Sequence, residues 1–487
     1  MAGLSKSRIL LNQQCPKRLW LKTNRPELEE VSEGNERRFA AGDLVGEIAR
    51  GLHPGGLLID ADDLGLALEQ TRTAMAEPPR PLFEATFEHE GTLVRADLLL
   101  PDNGAWRMVE VKSSTSVKDY HLNDAAVQAW VLEKAGALVS RVEIAHIDNT
   151  FVYPGNGDYR GLLIYEDISR EACALQAEVP VWLEQARQTL GLRNEPDIAP
   201  GKHCDDPFEC SFRRYCEPTA FDPIPVHSVR VLPYGGKFVQ GLIEAGRDDL
   251  RQLQITELKK ESHQRIWRTL QTGQAELDPH ASKIIRGLGW PRYYMDFETI
   301  NPAVPLWPGI RPYQHVPFQW SCHIEWPEGL EHEAFLAEAG TDPRRPFIES
   351  LLTTLGDAGP VLVWNASFER GRLDDLADAF PDLAKPIQKV IKRLFDLLPL
   401  SRDHYYHPEM RGSWSIKAVL PTIAPELSYE GMAVAHGGAA QEAYEEITLP
   451  ETTTERKAQL RQGLLEYCEL DTLAMVRIAD YFSRSGS

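Results

Sequence analysis

The sequence predicts an α/β protein of two modules joined by a helical linker, and three observations carry that expectation. At 487 residues, with roughly 150 residues to a domain, the length corresponds to about three domains. Two regions, about 80–135 and 290–487, set strand-like apolar runs bearing spaced acids beside helical periodicity. Between them PTAFDPIPVHSVRVLPYGG, rich in Pro and Gly, marks a boundary. The predicted organisation is therefore a module over 1–220, a helical linker over 221–288 and a second module over 289–487.

Composition limits the class. Apolar residues at 43% and charged residues at 25% are ordinary for a folded chain and exclude a disordered one. The 52 basic against 72 acidic residues, a net charge of −20, disfavour coating of nucleic acid or anionic membrane over the whole surface. Any nucleic-acid site has to be a confined groove. No apolar run approaches the ~18–20 residues that span a bilayer. The N-terminal Lys6, Arg8 and Ile9–Leu11 lack the core of a secretory signal. The expectation is a cytoplasmic protein with no membrane partner.

Seven cysteines are too few and too odd in number for a disulfide scaffold. Cys204, Cys210 and Cys216 are evenly spaced in KHCDDPFECSFRRYC, and Cys15 stands alone near the N-terminus. Four thiolates suit a structural zinc ion or a [4Fe-4S] cluster, against the alternative of buried free thiols. Residues 1–25 hold six Lys or Arg (Lys6, Arg8, Lys17, Arg18, Lys22, Arg25) and no acid. They form either a phosphate-gripping segment or a solvated amphipathic helix.

In the first module, PLFEATFEHEGTLVRADLLLP reads as two strands with a turn at Glu90–Gly91, and Asp97 lies on the second. The next strand, WRMVEVKSS, turns Glu110 and Lys112 to one face. Two carboxylates and an ammonium suit metal-dependent phosphodiester hydrolysis: the acids hold Mg2+ and the cation meets the developing charge. On the following helix Tyr120, Asp124 and Gln128 recur at i, i+4 and i+8 and share a face.

Asp97, Glu110-Val-Lys112 and Gln128 resemble the PD-(D/E)XK nuclease core of RecB type. With Cys15 and the C-terminal cysteine trio, the module resembles the iron-sulfur members of that group, in which a [4Fe-4S] cluster staples the first helix to the last segment. The trio departs from the C-x2-C-x5-C spacing common there, and Leu132 stands where the family usually has a Tyr. The resemblance implies a further early-helix acid, either Glu47 or Glu36. Glu84 is either another acidic contributor or a solvent-facing strand carboxylate.

From Val226 to Leu270 eight basic residues outnumber five acidic ones, with LIEAGRDDLRQLQ and ELKKESHQRIWRTL as helices. This linker is a spacer or a DNA-contacting helical hairpin.

In the second module, WPRYYMDFETI places Asp296 and Glu298 on one face of a buried strand. VLVWNASFERGRLDDLA gives a strand, a turn at Asn365–Ala366 and a helix start carrying Glu369. In the C-terminal helix LLEYCELDTLAMVRIADYF, Tyr467 and Asp471 share a face. These segments resemble the Exo I, Exo II and Exo III motifs of DnaQ-like 3′-5′ exonucleases of the DEDDy kind, which implies an RNase H-like fold. By that resemblance Asp296, Glu298, Glu369 and Asp471 hold two divalent ions about 4 Å apart and Tyr467 orients the water. Glu369 replaces the usual Asp. Asp396 is a further acid or a cap, and Trp307, Phe318 and Trp320 are base-stacking or core residues.

The resemblances together imply a Mg2+- or Mn2+-dependent deoxyribonuclease with two centres, acting on single-stranded DNA or DNA ends. Catalytic residues are Asp97, Glu110, Lys112, Gln128, Asp296, Glu298, Glu369, Tyr467 and Asp471. A [4Fe-4S] cluster is expected on Cys15, Cys204, Cys210 and Cys216. No P-loop occurs, so helicase action belongs to a partner in repair or phage defence. The alternative is a nucleic-acid-binding scaffold with one or both sites silent.

Overall fold

Period-two alternation builds the sheet of the first unit: Leu98, Leu100 and Val109 turn to one face, Leu99 and Met108 to the other. The computed structural model describes residues 4–30 and 33–484. It is a mixed α/β protein that divides into two units, Met1–Asp222 with Pro302–Gln314, and Pro223–Asn301 with His315–Ser487.

The first unit runs β1 (Leu4–Ser5), α1 (Lys6–Gln14), α2 (Pro16–Asn24), α3 (Glu33–Gly51), β2 (Leu57–Leu58) and α4 (Leu64–Ala76). Then follow β3 (Leu82–His89), β4 (Thr92–Asp102), β5 (Ala105–Lys112), α5 (Asp119–Lys134), β6 (Val139–Ile147) and β7 (Leu163–Asp167). The unit closes with α6 (Ser169–Leu175), α7 (Val179–Leu190) and α8 (Arg213–Cys216). The sheet order is β2-β3-β4-β5-β6-β7, with β1 beside β4. The β3/β4 hairpin turns at Glu90 (φ 48°) and Gly91 (φ 73°), where glycine accommodates the left-handed backbone. β5 and β6 pair in parallel, joined through α5. That crossover lays α5 on the sheet, burying Ala125, Ala129, Val131 and Leu132 against Ala85, Leu99 and Met108. The opposite face is covered by Val45 and Ala49 of α3 and by Ala303 and Val304. Pro16 opens α2 directly after the extended Cys15 (φ −164°), so α1 must stop there.

The second unit begins with α9 (Gly236–Glu244), α10 (Glu261–Thr272), β8 (Glu276–Leu277) and α11 (Pro279–Arg286). Its main strands are β9 (Arg292–Ile300), β10 (Val316–Trp326) and β11 (Gly329–Leu336), then, after α12 (Arg344–Leu355), β12 (Val361–Val363). Next come α13 (Ala366–Ala379), α14 (Ala384–Ile391), β13 (Leu394–Asp396), α15 (Leu397–His404) and β14 (Tyr405–Tyr406). The chain ends in α16 (Ile416–Val419), α17 (Gly437–Thr448) and α18 (Thr454–Arg484). β11, β10 and β9 form an antiparallel meander, and β12 and β13 add in parallel to give the order β11-β10-β9-β12-β13. One face packs on α12, α13 and α14 through Met295, Phe297, Phe347, Leu351, Leu373 and Ile387.

The other face of that sheet explains the chain division. Val229, Leu250, Leu258, Ile266 and Ile285 share one core with Tyr294, Leu362 and the Ile478 and Phe482 of α18. The segment read as a linker over 221–288 is therefore, from Pro223 on, packed wall of the second unit, because its helices find their apolar partners there. Among the described residues no helix is long and apolar enough to cross a membrane.

Candidate metal centres and cysteine cavity

In the first unit β4 supplies Asp97, β5 supplies Glu110 and Lys112, and α5 supplies Gln128. Lys112 Nζ donates to Glu110 Oε1 at 2.6 Å and to Asp124 Oδ2 at 2.7 Å. A second ammonium joins them: Lys6, first residue of α1, donates to Glu110 Oε1 at 2.8 Å and lies 3.6 Å from Asp124 Oδ1. Gln128 Nε2 donates to Glu110 Oε2, and Asp97 Oδ2 accepts the Val111 N–H at 2.7 Å. Burial alone would push Glu110 up, but Lys112 and Lys6 together reverse it and hold the carboxyl well below the usual range. Burial, then repulsion from Glu110, pushes Asp97 up.

Of the remaining first-unit candidates Glu84 borders this centre: burial raises its carboxyl, and the charges of Arg50, Lys6 and Glu110 reach it. Glu47 is exposed, and the side chain of Glu36 lies outside the described residues. Glu84, at φ 56°, pairs with Arg50 at 3.7 Å. Tyr120 packs its ring on His121 and Phe208, and Leu132 is core. Much of the basic N-terminal segment is engaged by protein groups: Lys6 as above, Lys17 with Glu195 at 3.3 Å, Lys22 with Glu29, Arg25 with Glu27.

The cysteines meet at the other end of α1. Gln14 Nε2 donates to the carbonyls of His203 (2.8 Å) and Phe208 (2.6 Å), tying the helix to the cysteine-bearing loop. Cys15, Cys204, Cys210 and Cys216 line one concavity of about 320 Å³, counting space open to solvent, together with Lys17 and Arg18. Burial pushes the Cys210 and Cys216 thiols up, and Lys17 draws Cys216 back down.

In the second unit, ligand oxygens of Asp296 and Glu298 on β9 and Asp471 on α18 all lie within 4.8 Å of one another. Among the described residues this is the set that converges tightly enough for a single ion. Antiparallel strand geometry turns Asp296 and Glu298 to one face, and α18 crosses that face carrying Asp471. Burial and mutual repulsion push Asp296 and Glu298 well above the carboxylate range. Burial likewise raises Asp471, partly offset by the Tyr429 hydroxyl, which donates to Asp471 Oδ1 at 2.5 Å, and by Lys417. Tyr467, one turn before Asp471, faces the same carboxyls, and they raise its hydroxyl further after burial.

Glu369, in the first turn of α13, is buried outside the triad. Its Oε2 has no hydrogen-bond partner, and burial followed by Asp296 pushes the carboxyl well up. Asp396 is a cap: it accepts from the backbone N–H groups of Asn365, Ala366 and Leu398 at 2.9–3.1 Å. Of the two readings open for Trp307, Phe318 and Trp320, the structure gives the core one. Phe318 stacks on Tyr444 at 3.9 Å, Trp320 on Phe335 at 6.5 Å, and Trp307 is buried in the first unit. Both faces of β10 are covered, which leaves those rings nothing but core.

Lys6, Tyr429 and Lys417 escape sequence reasoning. Asp124 was visible as a neighbour of Gln128 on one helix face, but nothing local pairs it with two lysines.

Against known proteins, residues 293–415 match a family model described as a domain of unknown function, DUF2779. That span covers β9, Glu369 and Asp396 and stops short of Tyr467 and Asp471. The chain is similar to the "Uncharacterized protein MG366 homolog" of Mycoplasma pneumoniae, 27% identical over 207 residues, 38% of this chain and 31% of that protein. It is also similar to "Uncharacterized protein UU173" of Ureaplasma parvum, 24% identical over 276 residues, 52% of this chain and 40% of the relative. The chain thus spans less than half the length of these curated relatives.

Proposed function

We propose that this protein is a metal-dependent nuclease with two centres, hydrolysing phosphodiester bonds of DNA that is single-stranded or presented as ends. The observation that carries the reading is the convergence of Asp296, Glu298 and Asp471, three buried carboxyls whose repulsion a divalent cation would relieve. An all-carboxylate donor set suits hard cations such as Mg2+ or Mn2+. The partnerless Glu369 Oε2 beside Asp296 is a further oxygen for a second ion. A divalent ion there supplies Lewis acidity and a water of lowered pKa. Tyr429 donates its hydroxyl to Asp471 and so positions that carboxyl, and Tyr467, facing the same acids, would be the residue to orient a water there. The strand order β11-β10-β9-β12-β13 supports an RNase H-like, DnaQ-type reading of the second unit.

The first unit supports a PD-(D/E)XK reading through Asp97, Glu110, Lys112 and Gln128 around one point. There Asp97 and Glu110 would hold the metal and Lys112 would meet the charge that develops on the phosphate. In the cysteine cavity the donors are soft thiols. Among the described residues no three of them lie within 4.8 Å of one another, wider than the ~3.8 Å between sulfurs on one zinc ion at Zn–S of about 2.3 Å. We read the site as one for a [4Fe-4S] cluster on Cys15, Cys204, Cys210 and Cys216, supported by the four cysteines lining one cavity, and such a cluster would staple α1 to the loop. No disulfide joins any of the seven cysteines, which suits the reducing cytoplasm we propose for it. A helicase or a repair or defence protein would be the natural partner.

The test is cleavage of end-labelled oligonucleotides by the full chain with Mg2+ or Mn2+. Cleavage lost with EDTA, and reduced by Asp296→Asn, Asp471→Asn and Lys112→Ala, supports two centres. Full cleavage by the triple variant refutes the assignment. A second reading, a nucleic-acid-binding component with the first centre silent, is favoured by one observation: Lys6 and Lys112 already neutralise Glu110 and Asp124 without a metal. Unchanged cleavage by Lys112→Ala alone would select it.

A further inference from the structure

Lys417 stands in GSWSIKAVLP, a stretch without periodicity, as the second residue of the short helix α16. Its ammonium donates to the Ala435 carbonyl at 2.6 Å. The rings of Tyr429 and Tyr467 flank it, their centroids 4.9 and 5.1 Å from Nζ. Those are the two tyrosines that face Asp471, so the cation sits at the edge of the acid triad, and its charge reaches both Glu298 and Asp471.

A lysine whose role was to neutralise the triad would touch it. In the first unit Lys6 and Lys112 do so, at 2.6–2.8 Å from Glu110. Lys417 belongs to no ion pair among the described residues. A main-chain carbonyl and two aromatic faces, all uncharged, hold it instead. An ammonium has three donors, and the carbonyl uses one. The others lie beside a cluster that, loaded with metal, would draw in an anionic phosphodiester.

We propose that Lys417 is a catalytic cation of the second centre, set by Ala435, Tyr429 and Tyr467 to bind a non-bridging oxygen of the scissile phosphate. This rests on the nuclease reading of that centre. A compact, strongly hydrated point charge at this place acts on the charge that accumulates on the phosphoryl oxygens as water attacks. It also opposes the divalent ion, because two cations in one pocket repel.

That opposition gives the test its sign. The full chain carrying Lys112→Met, which silences the first centre, serves as parent. Lys417→Met and Lys417→Arg are added to it singly. Mn2+ affinity is followed by electron paramagnetic resonance of free Mn2+, and single-turnover cleavage of a labelled single-stranded oligonucleotide is measured at saturating Mn2+. Lys417→Met should cleave about 100-fold more slowly while binding Mn2+ more tightly, and Lys417→Arg should recover most of the rate. Equal cleavage by parent and Lys417→Met overturns the role. So does a fall in Mn2+ affinity with the rate restored by more Mn2+, which would make the lysine a prop for the acids. If Lys417→Met melts early, Lys417→Gln, which keeps a donor for Ala435 and no charge, is measured in its place and must show the same loss. If the parent is inert and Asp296→Asn leaves Mn2+ binding unchanged, the nuclease reading itself fails and the lysine's role falls with it.

Discussion

The two acidic centres balance their charge in opposite ways. In the first unit two ammonium groups sit on Glu110 and Asp124 at ion-pair distance, so Glu110 is compensated by the chain itself, while burial and the charge of Glu110 still raise Asp97 and Asp124. In the second unit three carboxyls crowd within 4.8 Å of one another, the cation beside them is bonded to a carbonyl, and burial with mutual repulsion raises all three, Asp296 and Glu298 well above the ordinary range. A compensated site is rigid before any metal arrives. An uncompensated one stores repulsion that a divalent ion releases.

The largest expected effect is on the compensated side. Glu110→Ala leaves Lys6 and Lys112 only Asp124 and should cost about 3–5 kcal/mol, read as faster amide hydrogen exchange throughout β5 and α5. The corresponding removal of one acid in the second unit, Asp296→Asn in EDTA, should leave β9 and α18 at least as protected as before. If both variants lose protection equally, the contrast between the centres is broken.

Next in size is the response to metal. At 100 times its dissociation constant, Mn2+ should stabilise the second unit by about 2.7 kcal/mol, seen as slower exchange in β9 and α18 and absent in Asp471→Asn. Protection gained equally by β5 would show that Lys6 and Lys112 yield to the ion more readily than their contacts imply.

The pH response separates the centres by sign. Glu110 is held below its unfolded value of about 4.3, so its contribution is present above that pH and lost as pH falls toward the folded value. Asp296 and Glu298 are held above their unfolded values of about 3.9 and 4.3. The folded state keeps their protons longer, so stability is full below about pH 4 and declines as pH rises. In metal-free buffer Asp296→Asn should therefore gain on the wild type between pH 5 and pH 8, and chemical denaturation across that range measures it. A gain at the acid end would invert the assignment.

The smallest effect sharpens the comparison. Burial and Asp296 push the Glu369 carboxyl toward its neutral form, so Glu369→Gln, close to it in shape and charge, should shift metal-free stability by about 1 kcal/mol at most. The same change should weaken Mn2+ binding in a titration. A variant that binds Mn2+ like the wild type removes Glu369 from the centre.

Much of each centre was legible because periodicity fixes direction. Glu110 and Lys112 share a face because strands repeat every two residues, as do Asp296 and Glu298; one helical turn aligns Tyr467 with Asp471. Lys6 was not legible, because it meets Glu110 across 104 positions and looked like one of six basic residues. Tyr429 lies outside helix and strand and Lys417 in a single helical turn, where no sustained period says which way a side chain points. The 221–288 segment read as a linker because a Pro- and Gly-rich stretch opens it and its basic residues outnumber its acidic ones. The partners of its apolar residues, such as Ile478 and Phe482, stand some two hundred residues later, and a composition count cannot join them. Phe318 and Trp320 were open to either reading until α12, α17 and α18 covered both faces of β10.

Helix α1 begins with Lys6 in the acidic centre and hands over to Cys15 in the thiol-lined cavity. Nine residues at 1.5 Å each make a rod of about 13 Å, too short to bend appreciably. The ammonium on Glu110 and the first of the four thiols are therefore held by opposite ends of one straight element, whose length sets the distance between the two places.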